Sequence, residues 1–212
     1  MTSASPAVDP DQVWWSAPAD QREGRPLLVL LHGHGMDEQM GAGVRDRLPP
    51  DLVLASIRGP LRVRSGYGWF PLDASLRPQQ VDEAAHRVVA WVGAQTRHPS
   101  VGVLGFSQGS SIGLQAMRLD PDLFAYGVVL SGFASPLPVV GDAELRRRRP
   151  PVFSGRGDAD RLVPPPLVSL TDQWLTDHTT LTRRVYRGLG HDVSPAEVGD
   201  LVAFLEAQLP GR

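Results

Sequence analysis

Cysteine and lysine are both absent from this chain of 212 residues. With no cysteine there can be no disulfide, no thiolate metal site and no cysteine nucleophile. With no lysine there is no amine nucleophile and no Schiff base, and all 21 basic residues are arginine. Apolar runs are short. None approaches the ~18 consecutive residues that a membrane span needs, so stable membrane insertion is not expected. Excess charge is lacking too: the formal net charge is −2, which gives no electrostatic reason to expect nucleic acid or an anionic membrane as a partner. Residues 1–12 have neither a basic start nor an apolar core. They read as a flexible segment without a secretory signal, on a cytoplasmic chain.

What is present is an ordinary globular composition, 42% hydrophobic and 21% charged. The length fits one domain, residues 1–212, around a single core. Residues 27–31 are the continuous apolar run Leu-Leu-Val-Leu-Leu between Pro26 and His32-Gly33, the pattern of a strand buried on both faces. Further strands are predicted over 13–16 (an edge strand), 52–57, 101–105, 126–130, 151–154 and 183–186. Helices are predicted over 37–48, 78–96, 110–118, 166–177 and 195–209. The helix over 78–96 is the clearest, with Val81, Ala84, Ala85, Val88, Val89 and Val92 recurring at three- and four-residue spacing. Residues 58–72, rich in Gly, Pro and aromatics, read as a structured loop or short hairpin. Strands alternating with helices predict an α/β fold with a mostly parallel central sheet and helices on both faces.

The chemistry starts at Gly105-Phe106-Ser107-Gln108-Gly109. This is the G-x-S-x-G pattern, with an apolar strand before it and a small-residue helix after it. A nucleophilic serine on a strained strand-to-helix turn needs small neighbours at both flanking positions. The following helix N-terminus favours the negative charge that develops there. Ser110 and Ser111 read as helix-start residues. A serine hydroxyl needs a base, and only two histidines follow Ser107. His178 lies at a helix end, in what reads as a solvent-facing context. His191 lies in the loop Gly188-Leu189-Gly190-His191-Asp192 after a strand, where active sites of open α/β sheets gather, and is the expected base. The acid is expected in the loop Gly157-Asp158-Ala159-Asp160, and spacing alone leaves both aspartates open. Asp192 reads as loop structure or a helix start. One oxyanion donor is expected at the Gln108 amide, and the other at the His34 amide in His32-Gly33-His34-Gly35. A metal pair of His32 and His34 lacks a third ligand nearby.

Together, Leu31-His32-Gly33-His34-Gly35-Met36-Asp37-Glu38, Gly105-Phe106-Ser107-Gln108-Gly109, residues 157–164 and Gly190-His191-Asp192-Val193-Ser194-Pro195 resemble the phospholipase/carboxylesterase family of α/β-hydrolases. That family also contains the acyl-protein thioesterases. The resemblance implies the α/β-hydrolase fold, and it places the acid at Asp160 and the early oxyanion donor at His34. Two departures stand out: Arg156 occupies a position where the family often has histidine, and His34 one that is usually apolar. Residues 58–72 resemble the bacterial esterase branch, which implies that Trp69, with Gly33 and Phe70, lies near the substrate groove; for Trp69 an ordinary core position is the competing reading. Arg146 to Arg149 read as a solvated loop or helix end. Residues 134–150 leave room for little or no cap, hence an open groove for esters of short or medium acyl chains. The expected activity is a serine carboxylesterase acting on a small-molecule ester, with no metal and no organic cofactor. An acyl thioesterase, a perhydrolase using the same three residues, and an inactive binding module are the alternatives. If the chain assembles, a homodimer is the expected form.

Overall fold

The protein is described here by a computed structural model covering residues 8–72 and 77–209. Of the segment expected to be flexible, residues 1–7 lie outside the described residues. Pro10–Gln12 form one 3₁₀ turn, capped by Asp9 Oδ1 accepting from the Asp11 N–H at 3.0 Å, so this part is structured.

Seven strands make the central sheet, in the order β1 (Val13–Trp15), β3 (Val53–Ile57), β2 (Leu27–Leu31), β6 (Val101–Phe106), β7 (Tyr126–Leu130), β8 (Pro151–Gly157) and β9 (Thr180–Tyr186). Only β1, at the edge, runs antiparallel to its neighbour; every other pair is parallel. Residues 58–72 contain a hairpin of β4 (Leu61–Val63) and β5 (Gly66–Gly68). The apolar run of β2 is fully buried because alternate residues enter different cores. Leu27, Val29 and Leu31 join the core under α2 (Pro78–Gly93), α3 (Gln108–Leu119) and α5 (Pro165–His178). Leu28 and Leu30 join the core under α1 (Met40–Val44) and α6 (Pro195–Glu206). At roughly 1.5–3 kcal/mol per buried large apolar side chain, this two-sided burial holds β2 at the middle of the sheet. Helices on both faces of a mostly parallel sheet are the layering that the α/β-hydrolase resemblance implies. Among the described residues no helix is long and apolar enough to cross a membrane.

Several expectations need correction. The helix predicted over 37–48 is only α1 followed by a 3₁₀ turn, Arg45–Arg47. Gly41 and Gly43 weaken helix there, and a side chain at Gly41 would overlap the Trp14 ring. Residues 134–150 include a helix that was not foreseen, α4 (Asp142–Arg148). The tandem arginines make its last turn and its left-handed C-cap, Arg149. Arg147 pairs with Glu144 and Arg148 with Asp122, while Arg149 donates to the carbonyls of Asp177, Thr176 and Thr179. β8 runs on through Gly155 and Gly157, where loss of apolar character hid it, because it stays paired to β9 as far as Gly157 opposite Tyr186.

Candidate active site

Three loops at the C-terminal ends of β6, β8 and β9 converge. β6 hands Ser107 to α3 through a backbone at φ 54°, ψ −118°, a left-handed conformation that costs a non-glycine residue energy and is tolerated only where the surroundings enforce it. The Ser107 N–H donates to Leu130 O at 2.8 Å, and Ser110 Oγ accepts from the Leu130 N–H at 2.9 Å. Ser111 Oγ accepts from the Phe133 N–H at 3.2 Å. Ser110 and Ser111 thus lie on the helix start, tying the elbow to the end of β7. A side chain at Gly109 would collide with the backbone of Leu31 and His32, and one at Gly105 with the backbone of Gly109 and Ser110. The two flanking glycines are therefore needed for close approach.

His191 Nε2 stands 2.8 Å from Ser107 Oγ, and His191 Nδ1 stands 2.8 Å from Asp160 Oδ2. A carboxylate only accepts, so Nδ1 carries the proton towards Asp160 and Nε2 is free to accept from the serine hydroxyl. The Asp160 carboxylate is wholly shielded by its neighbours, and His191 is 14% exposed. Burial pushes the Asp160 carboxyl up. The hydrogen bonds from His191 and the Leu162 N–H, with the charges of His191 and Arg156, outweigh it and hold the group below its ordinary value. Arg156 NH2 lies 3.7 Å from Asp160 Oδ2. Asp158 Oδ1 instead accepts from the Gly188 N–H at 2.6 Å, and the Ala159 N–H donates to Leu189 O at 3.0 Å. These two bonds dock the histidine loop onto the acid loop. Gly157 permits this, since a side chain there would overlap Leu189 O.

His34, Ser107, Gln108 and His191 share a cavity of about 320 Å³. Neither the His34 nor the Gln108 amide donates to a backbone carbonyl among the described residues. The cavity's apolar wall is Leu72, Phe106, Phe133, Leu162, Val163 and Pro164. Most of these were not foreseen, because they come from the end of β6 and three separate loops that no local pattern links. The three residues expected at the groove stand behind it. Trp69 is 4% exposed, and its indole N–H donates to His32 O at 2.8 Å, so it occupies the core. Phe70 is buried in the same core, and Gly33 gives room to the Phe106 ring. Gln108 links these parts: its Oε1 accepts from the Trp69 N–H at 2.9 Å and its Nε2 donates to Phe70 O at 2.8 Å. Sequence reasoning saw only the backbone of Gln108, and no signal marks its side chain.

His32 is buried, with Nε2 accepting from the Gly59 N–H at 2.9 Å and Nδ1 donating to Gly33 O at 2.7 Å. Burial holds its pKa below the ordinary value, so it acts as a neutral brace between residues 32–35 and Gly59. His178 is not solvent-facing as expected. It is 5% exposed and stacks on Trp174, rings 4.4 Å apart, because helix α5 turns this end inward against α4. Asp192 accepts from the Val193 N–H and the helix cap is Ser194.

A family model described as Phospholipase/Carboxylesterase matches residues 17–209. NocK of Nocardia uniformis subsp. tsuyamanensis, which carries the designation esterase, is 36% identical over 152 residues, 67% of this chain and 42% of NocK. Acyl-protein thioesterase 1 of Saccharomyces cerevisiae is 31% identical over 112 residues, 50% of this chain and 48% of that one. The matched region thus spans less than half the length of either curated relative. The crystal structure of esterase PE8 superposes with a TM-score of 0.73 at 27% identity, covering 91% of this chain and 97% of that chain.

Proposed function

The chain belongs to the phospholipase/carboxylesterase family, and from that premise we propose that it hydrolyses carboxylic esters of short or medium acyl chains through an acyl-enzyme on Ser107. The observation that carries this reading is the unbroken relay of Ser107 Oγ, His191 and Asp160, each link 2.8 Å. His191 Nε2 takes the hydroxyl proton as Ser107 Oγ bonds to the acyl carbon. The His34 and Gln108 amides receive the oxyanion, at roughly 3 kcal/mol per donor. The tetrahedral species collapses by breaking the bond to the leaving oxygen, which takes the proton from Nε2. Asp160 holds the productive tautomer and stabilises the imidazolium. Water then enters, deprotonated by His191, and releases the acid. A thioester would follow the same steps, and the 31% identity to a yeast acyl-protein thioesterase favours testing one.

The test is a p-nitrophenyl ester series, with a short-chain acyl thioester alongside, on the wild-type chain and on Ser107→Ala. Turnover with an acyl burst that disappears in the variant supports the reading. Equal turnover in both proteins removes Ser107 as nucleophile.

A further inference from the structure

The acid of the relay has a second charged neighbour. Arg156, on β8, places Nη2 3.7 Å from Asp160 Oδ2, the same oxygen that accepts from His191 Nδ1 at 2.8 Å. The Arg156 side chain is 12% exposed and that of Asp160 0%. The cation is therefore held against the carboxylate largely out of water, where salt screens it little. Among the described residues Asp160 is the one carboxylate within ion-pair distance of Arg156.

Strand geometry keeps this pair apart from other acids. Successive side chains of a strand point to opposite faces, and both chain neighbours of Arg156 are glycines. Glu197 Oε1 lies against Gly155, and Leu189 O against Gly157. Arg156 thus points away from the buried Glu197 of α6. The other charged or titratable groups around the relay are Asp158 and Arg161 on the acid loop, Arg187 and Asp192 on the histidine loop, and His34 across the cavity. Asp158, Arg161, Arg187 and Asp192 are all exposed, so solvent weakens their reach. The elbow from β6 into α3 brings no charge near Ser107.

Asp160 stabilises the imidazolium that forms when His191 takes the serine proton. A cation at the same oxygen offsets that negative charge and repels the imidazolium. We propose that Arg156 is a positioning residue that acts through Asp160: it limits how strongly the carboxylate favours protonated His191, and so extends ester hydrolysis to lower pH. This inference rests on the esterase reading, and its test separates the two.

kcat/KM for p-nitrophenyl butyrate is followed from pH 5 to 9 with the wild-type chain, Arg156→Met, Arg156→Gln, Arg156→Lys and Arg161→Gln. The acid limb of this profile reports protonation of the essential base in the free enzyme. The two neutral variants at Arg156 move that limb up by roughly 0.5–1 pH unit, a loss of about three- to tenfold at any pH on the limb, and keep the plateau within about threefold. Arg156→Lys restores the charge and recovers at least half of the shift. Arg161→Gln loses an exposed cation from the same loop and leaves the limb within about 0.2 unit. Glu197 titrates in every variant alike, so differences between profiles isolate Arg156. A limb unmoved in both neutral variants overturns the proposal. So does a plateau that falls in all three Arg156 variants with the limb in place, the signature of a packing role, or an equal shift in Arg161→Gln. A second readout needs no turnover: the His191 imidazole is titrated by NMR in Ser107→Ala and in Ser107→Ala/Arg156→Met, and its midpoint is higher in the double variant. If that difference is found while the wild type hydrolyses no ester, the Arg156 assignment stands and the esterase reading fails. If the ester is hydrolysed and neither midpoint moves, the Arg156 assignment alone fails.

Discussion

Asp158 and Asp160 sit two residues apart on the loop after β8 and hold different partners. Asp160 Oδ2 takes the His191 Nδ1–H at 2.8 Å, whereas Asp158 Oδ1 takes the Gly188 N–H at 2.6 Å. The first bond sets a tautomer and the second sets a loop, so their removal should read out differently. Asp160→Asn is expected to lower kcat by about 10³–10⁴-fold with little change in melting temperature, because the amide can invert the tautomer of His191. Asp158→Asn should keep kcat within about threefold and lose about 1 kcal/mol of stability or less, as one exposed charged acceptor becomes a neutral one. Ester kinetics and thermal melts on the two variants decide it. Equal losses of kcat would dissolve the distinction.

Gly109 and Gly199 make a second contrast, between two glycines on helices. A Cβ at Gly109 would run into the backbone of β2's end, at Leu31 O, while one at Gly199 on α6 would meet nothing within 4 Å. Gly109→Ala therefore forces the elbow away from the sheet and is expected to cost on the order of 4 kcal/mol or to abolish soluble expression. Gly199→Ala removes backbone entropy from the unfolded chain and raises stability by about 0.5–1 kcal/mol. Urea unfolding of both variants checks the opposite signs.

The same backbone contacts explain what was legible in the sequence. β2 could be read because all five of its residues are apolar, and the elbow because Gly105 and Gly109 are demanded by close approach rather than chosen by composition. His191 stood out just after two glycines, in a loop that follows a strand. Choosing between Asp158 and Asp160 needed the family resemblance, since two residues on one irregular loop have no period that says which turns towards the histidine. For Trp69 the resemblance implied the groove with the core as the competing reading, and the core holds: its indole finds a hydrogen-bond partner inside, at His32 O, and large aromatics with a satisfied polar handle bury well. α4 was missed because its charged face carries almost no apolar stripe: only Leu145 is buried. The cavity walls were invisible for a different reason: Leu72, Phe133 and Leu162 meet only through the fold.

Arg118 offers a stability prediction independent of the reaction. Its guanidinium is 2% exposed and holds Asp142 through two bonds, at 2.7 and 2.8 Å, together with Ser135 O at 2.8 Å and Leu137 O at 2.6 Å. One side chain on α3 thereby fixes the whole connection from β7 to α4. Arg118→Met leaves a partly buried carboxylate with the Val139 N–H but no cation, and takes a donor from two carbonyls, so about 3–5 kcal/mol should be lost. The double variant Arg118→Met/Asp142→Leu removes the orphaned charge and should recover part of that loss. Calorimetry on the single and double variants tests it, and additive losses would show that the pair is not coupled.

Glu197 supplies the pH dependence. It is fully buried at the start of α6, against Gly155, and neither carboxylate oxygen has a hydrogen-bond partner among the described residues. Its own N–H is taken by Ser194 Oγ at 3.1 Å, the first half of a capping box whose return bond is not made. Burial pushes the carboxyl from 4.5 up to about 7. The Ser194 N–H, outside hydrogen-bond geometry, works against this, and the smaller effects of the Asp192 and Asp200 charges add to it. In the unfolded chain the group ionises near 4.5, so between that pH and about 7 the folded state binds more protons than the unfolded one. Stability then falls as pH rises through this window and levels off above it, by about 3 kcal/mol if the whole shift is expressed. Glu197→Gln keeps the shape and cannot ionise. It should erase the slope from this group, melting above the wild type at pH 8 and close to it at pH 4.5. A melting-temperature difference between the two proteins that stays constant across that range would show that Glu197 does not titrate with folding. The sign itself is open to test, because a carboxylate paired to a cation would give the opposite slope, with stability gained rather than lost as pH rises.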